Sequence, residues 1–271
     1  MAKELYKNIL SRLPSAIAIA AVVFGILYLQ NLIIICSLIF AVIGFLCHEW
    51  LHVSSTKINL KQIIFFMTPM ALFGLIGEIF INYFLLASFG FWCIYGFLLI
   101  TKNAAQIKLL SFNNNYLGIF LIQALLFGLI SVLIFSNFAA NNFFVLFLLL
   151  FITALIDVAA YLVGSSIGRT PLFQDVSPNK TVEGFIGSVV ITTSFIFLIY
   201  TIELISWNLF LLFVSLIPFA FIGDYFESQL KRKQQIKDSG SLIPGHGGIW
   251  DRLDSHIAII PSFAALSSLL L

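Results

Sequence analysis

Tyr116 to Ser166 reads YLGIFLIQALLFGLISVLIFSNFAANNFFVLFLLLFITALIDVAAYLVGSS, and its only charged side chain is Asp157. A bilayer core about 30 Å thick is crossed by about 20 mostly apolar residues in a helix. The stretch holds two such windows, roughly 116–136 and 143–166, on either side of the polar turn SNFAANN. Working outward, similar windows fall at roughly 14–29, 31–47, 62–81, 83–101, 184–205, 207–230 and 256–271. Apolar residues make up 61% of the chain and charged residues 10%, with a mean hydropathy of +1.06. A soluble domain carries about 25% charged residues, so this chain has too little polar surface to cover a globule in water. These observations predict an all-α polytopic transmembrane helix bundle of about nine spans.

The basic residues test that count. With the N-terminus inside and nine alternating spans, the inside segments are 1–13, 48–61, 102–115, 167–183 and 231–255, and they hold all 14 Lys and Arg residues. Cytoplasmic loops carry such an excess, so the expected orientation is N-in and C-out. The basic start MAKELYKNILSRLP leads into an apolar run that continues almost to Cys47 with no small-residue cleavage site, which reads as a retained first helix. Cys36, Cys47 and Cys93 all lie in apolar runs and form no CxxC pair, so neither disulfides nor thiolate zinc is expected. No repeat, linker or low-complexity tract interrupts the chain. Residues 1–271 therefore read as one integral membrane domain, with N-terminal helices over 1–140 and a catalytic part over 141–271.

Polar chemistry concentrates in two islands. The first, residues 223–255, reads GDYFESQLKRKQQIKDSGSLIPGHGGIWDRLDS and contains ten charged residues. Asp224, Glu227, Ser228 and Lys231 have the spacing of one helical face. Asp224 lies inside an apolar run, which is costly in lipid unless it faces a wet, paired site. Gly245, Gly247 and Gly248 in PGHGG allow backbone amides to turn toward an anion. Asp251 and Asp254 follow, with Arg252 between. Carboxylates suit Mg²⁺, and lysines, arginines and amides suit polyphosphate, so both signs in one segment fit a metal–nucleotide site. A solvated loop with snorkelling lysines is the plainer alternative, but it requires neither GHGG nor an acid within a span.

The second island, 157–184, reads DVAAYLVGSSIGRTPLFQDVSPNKTVEG. Ala160, Gly164 and Gly168 form a stripe of small residues that favours close helix packing. Ser177, Lys180, Thr181 and Glu183 cluster before the next span, where the Ser or Thr could also serve as a helix cap.

Together the islands resemble the phosphatidate cytidylyltransferase family, the CDP-diacylglycerol synthases. The resemblance rests on Ser228, Lys231–Arg232, Lys237–Asp238–Ser239, Pro244–Gly245–His246–Gly247–Gly248 and Asp251–Arg252–Leu253–Asp254–Ser255, with Ser177–Pro178 through Gly184 as a second anchor. Glu49–Trp50 resembles a pair found early in the family, while Arg169, Tyr225 and Trp250 depart from its pattern. The motifs cover residues 157–255.

The resemblance implies transfer of CMP from CTP to phosphatidic acid, giving CDP-diacylglycerol and pyrophosphate, with Mg²⁺ and, as a further cation, K⁺. It implies catalytic roles for Asp224, Ser228, Lys231, Lys237, Asp238, His246, Asp251 and Arg252. Substrate binding falls to Ser177, Lys180, Thr181, Arg232, Gly245, Gly247 and Gly248, and metal binding to Asp224, Asp251 and Asp254. The expected partners are CTP, phosphatidic acid, membrane lipid and a second copy of the chain as a homodimer, with no nucleic acid. The expected location is the inner (plasma) membrane, with the site facing the cytoplasm.

Three rival readings have stated grounds. His48–Glu49–Trp50–Leu51–His52 is a literal H-E-x-x-H, as in an intramembrane zinc protease, but no third ligand motif follows. A CTP-dependent lipid kinase of the polyprenol or dolichol type would use similar chemistry with the γ-phosphate transferred. A transporter would also place acids in spans, but the paired half-helix repeats of that class are lacking.

Overall fold

The computed structural model describes residues 21–54, 59–71, 77–101, 107, 109–135, 138, 140–173, 176–240 and 247–270. Residues 21–28 are helical and lead into α1 (Leu32–Ser54). Next come α2 (Leu60–Ala71), α3 (Glu78–Ile100), α4 (Asn115–Ile130) and α5 (Asn142–Ile167). A short ribbon, β1 (Pro171–Phe173) and β2 (Ser177–Thr181), precedes α6 (Val182–Thr201). Then follow α7 (Trp207–Ser215), α8 (Ile217–Lys233), the single turn α9 (Trp250–Leu253) and α10 (His256–Leu270).

Polar residues start these helices by accepting N–H groups that have no partner in the first turn. Asn31 accepts from Ile33 and Ile34 at 3.1 and 3.2 Å, Asn141 from Phe143 at 2.9 Å and Ser206 from Leu209 at 3.3 Å. At its far end α4 passes into one π-helical turn, Ser131–Phe135.

Among the described residues, six helical segments are long and apolar enough to cross a membrane, and α10 is a shorter apolar helix. The all-α polytopic reading therefore holds, with three local differences. The break expected near Asn82 is absent, because Asn82 lies inside α3. The window at 207–230 is one span broken at Leu216 into α7 and α8. Pro218 explains that break, since its ring lacks an N–H and crowds the carbonyl four residues back. Finally, the SPNKT segment is a strand paired antiparallel with residues 171–173. A three-residue partner gives no alternation to read, and Pro178 argues against a strand. Most of the window at 14–29 lies outside the described residues.

The bundle is organised around α4, which with its π turn is buried over most of its length. It packs on α1, α3 and α10, and α10 in turn packs on α3 and α8. Helices α5 and α6 pack along each other most extensively, and the small-residue stripe lies at their contact: a Cβ on Gly184 would stand 2.7 Å from the Ala160 carbonyl oxygen. Such close approach lets dispersion hold helices together where lipid removes any hydrophobic drive. Ile33, Ile79, Tyr83, Phe97 and Ile100 lie outward and exposed, a surface that lipid solvates and water does not.

Candidate active site

Both polar islands meet at one end of this bundle. Helix α8 carries Asp224, Glu227, Ser228 and Lys231 on one face, as their spacing predicts. Ribbon strand β2 brings Lys180 against Asp224 in a direct ion pair. Ser228 reaches the other Asp224 oxygen only at 3.4 Å. One turn on, the Lys231 ammonium lies 2.6 Å from Glu227 Oε2 and 2.7 Å from Asp251 Oδ1. Glu227 is 1% exposed, so its side of this ion pair is shielded from water and little screened by salt.

Asp251 ties Ser239 and Gly248 to α9. Its Oδ2 accepts from the backbone N–H of Gly248 at 2.7 Å, the N–H of Ser239 at 2.9 Å and the Ser239 hydroxyl at 3.1 Å. Burial alone would raise its pKa. The Lys231 ammonium and the Gly248 and Ser239 N–H groups outweigh burial and hold the carboxyl below its ordinary value. Gly247 beside it has φ +81°, a left-handed backbone that glycine adopts without strain.

Two further acids, Asp157 and Asp254, complete the cluster. Ser255 donates its hydroxyl to Asp157 Oδ1 at 3.1 Å and its N–H to Asp254 Oδ1 at 2.7 Å. Lys180 sits in the field of Asp254, Asp157 and Glu227. Burial lowers the Lys180 pKa, partly countered by those carboxylates, and burial raises that of Asp254. Five carboxylates thus surround two ammonium groups, with Arg252 exposed at the edge.

The expected Mg²⁺ can be weighed against these donors. Among the described residues, no three His, Cys, Asp or Glu side chains converge to enclose a metal ion. Mg²⁺ needs less than that: one or two carboxylates, with waters and substrate phosphates filling its shell. Asp224 and Asp254 fit this description, since both supply hard oxygens and both already attract the Lys180 cation. Asp251 has both oxygens engaged and could accept a metal only if Lys231 moved away.

The remaining expected residues are placed as follows. Thr181 caps α6, its hydroxyl accepting from Gly184 N–H at 3.1 Å. Ser177 pairs with Phe173 in the ribbon. Arg232, Lys237 and Asp238 are exposed. The Gly248 N–H is turned to Asp251. Gly245 and His246 lie outside the described residues.

Two groups outside the expected site turn out to be structural members of it. Glu183 accepts from Arg169 N–H at 3.1 Å and from the Thr170 hydroxyl at 3.0 Å, closing the turn that leads into the ribbon. Glu49 accepts from Ile249 N–H at 2.8 Å and Trp250 N–H at 3.0 Å. An acid near the end of an apolar span was the signal that could have found Glu49. His48 and His52 are exposed, with ring centroids 6.3 Å apart. They line a cavity of about 730 Å³ with Gln234, Asp238 and Ser239. Because the Glu49 carboxylate faces the 249–250 amides, it is not free to act as a base between those histidines.

The sequence matches the Cytidylyltransferase family over residues 10–270. It is 44% identical over 108 residues to a phosphatidate cytidylyltransferase of Bacillus subtilis (strain 168), an alignment covering 39% of this chain and 40% of that protein. The protein of the same name from Aquifex aeolicus (strain VF5) is 42% identical over 107 residues, covering 40% of each. Alignment with these relatives thus spans about two fifths of their length.

Proposed function

Because this chain belongs to the cytidylyltransferase family, we propose that it transfers CMP from CTP to phosphatidic acid, forming CDP-diacylglycerol and pyrophosphate for phospholipid synthesis. The observation that carries this reading is the linked pair of clusters, Lys180–Asp224 and Glu227–Lys231–Asp251, at one end of an otherwise apolar bundle. Both substrates are anionic, and one of them is held in the bilayer. A site for them needs positive charge, oxygen donors for a cation, and a position at the end of membrane helices.

In the reaction a phosphate oxygen of the lipid attacks the α-phosphorus of CTP. A P–O bond forms there as the bond to the bridging oxygen breaks, and pyrophosphate leaves with the electron pair. The nucleophile is already an anion, so no strong general base is needed, and the demand falls on alignment and charge neutralisation. Lys180 and Lys231 would meet the phosphates, with exposed Arg232, Lys237 and Arg252 drawing CTP to the mouth. Exchange of Lys231 from Asp251 to the triphosphate would leave one Asp251 oxygen available. Mg²⁺ held by Asp224 and Asp254 would neutralise charge on the leaving pyrophosphate. K⁺ would be a further cation at the site.

The placement of Lys and Arg in the sequence supports a site on the cytoplasmic face of the inner membrane. Purified protein in detergent, given phosphatidic acid, Mg²⁺ and CTP labelled at the α-phosphorus, should place label in the lipid and release one pyrophosphate per lipid product. Label from the γ-phosphorus in the lipid would instead identify a lipid kinase. No labelled lipid from intact protein would defeat the proposal.

A further inference from the structure

The Glu49 carboxylate, near the end of α1, is 6% exposed, yet it meets three donors from the far end of the chain. Oε1 accepts from Ile249 N–H at 2.8 Å, and Oε2 accepts from Trp250 N–H at 3.0 Å. The Ser239 hydroxyl lies 3.4 Å from Oε2 and also 3.1 Å from Asp251 Oδ2. The carboxylate therefore touches Ser239 on one side and residues 249 and 250 on the other, and Ser239 links it to Asp251. The backbone at Gly240 and Gly248 leaves room for it. A Cβ at Gly240 would stand 2.9 Å from Glu49 Oε1, and one at Gly248 would stand 2.6 Å from Oε2. A side chain at either position would push the carboxylate out. The next residue on α1, Trp50, packs on Trp250 with ring centroids 5.2 Å apart, and the Trp250 ring N–H donates to the Leu46 carbonyl at 2.9 Å.

We propose that Glu49 is a positioning residue for the nucleotidyl transfer, clamping residues 239–240 against residues 248–250 so that Asp251 and Lys231 stand in register. The proposal rests on the cytidylyltransferase reading for its reaction, but the clamp itself stands on geometry. The two N–H groups at Ile249 and Trp250 open the α9 turn, where backbone donors have no helical acceptor and a carboxylate is especially favourable. Removing the acceptor would leave them unpaired in a buried place and free the loop to shift. A shift of about 1 Å in a reacting group can lower turnover by about 100-fold.

The test compares Glu49→Gln and Glu49→Ala with the wild-type protein in detergent. Glu49→Gln keeps one oxygen acceptor and the side-chain shape, so it remains informative if the alanine variant fails to fold. Expected for Glu49→Gln is a fall in kcat of about 10- to 100-fold with the KM for phosphatidic acid within about twofold. Amide exchange by mass spectrometry should be at least about tenfold faster in a peptide spanning 247–255, with peptides from α4 and α5 unchanged. Unaltered kcat with unaltered loop protection would overturn the proposal. So would a loss of protection spread through α4 and α5, since that would make Glu49 a general stabiliser of the bundle. If the wild-type protein made no CDP-lipid, the functional reading would fail, and the exchange comparison would still decide whether Glu49 holds the loop.

Discussion

Lys231 stands between two carboxylates that lie far apart in sequence: its ammonium is 2.6 Å from Glu227 Oε2 and 2.7 Å from Asp251 Oδ1. One ammonium thus joins helix α8 to the α9 turn. An ion pair this far from water is not by itself a large source of stability, but losing one member leaves the other charge uncompensated.

Asp251→Ala should therefore lower stability by about 3 kcal/mol, because it strands Lys231 beside one acid and frees three loop donors. Adding Lys231→Met to that variant should lower the thermal stability further, because it leaves the buried Glu227 carboxylate without its ammonium, and should leave no activity. Thermal unfolding of the single and double variants checks this, and a double variant more stable than Asp251→Ala would refute it.

Acid should loosen the same connection at an unusually low pH. The folded-state pKa of Asp251 is depressed, so its contribution is fully present above the ordinary aspartate value of about 3.9 and is lost as pH falls through the lower folded value. Amide exchange at Gly248 should stay slow down to about pH 4 and quicken only below it, whereas the Asp251→Asn variant should show no such transition.

Thr181 offers a cleaner separation of roles. Its hydroxyl caps α6, so Thr181→Ala should reduce stability by about 1 kcal/mol and Thr181→Ser should restore most of it. A rise in KM with unchanged thermal stability would instead give the hydroxyl a role on substrate.

Chelation of divalent cations should abolish transfer and leave the fold standing. Lys180 and Lys231 already hold Asp224, Glu227 and Asp251 in direct ion pairs, so these contacts across the site do not require a metal. EDTA should shift the thermal midpoint by no more than about 2 °C, and Mg²⁺ should restore activity. A collapse of the midpoint on chelation would make the ion structural.

The membrane character of the chain was legible in the 116–166 stretch alone, because a backbone in lipid must satisfy its own hydrogen bonds and helices are how such a run does so. The shared face of Asp224, Glu227 and Lys231 followed from helical spacing in the same way. The ribbon at 171–181 did not, because so short a pairing is set by what lies beside it. The same holds for the partners of these charges. Lys180 meeting Asp224, Lys231 meeting Asp251 and Glu49 meeting residues 249 and 250 join positions 20 to more than 200 residues apart. Local pattern fixes which residues are helical and which are charged, since those depend on neighbours along the chain. Pairing of charges depends on how the helices pack, and only the folded arrangement decides it.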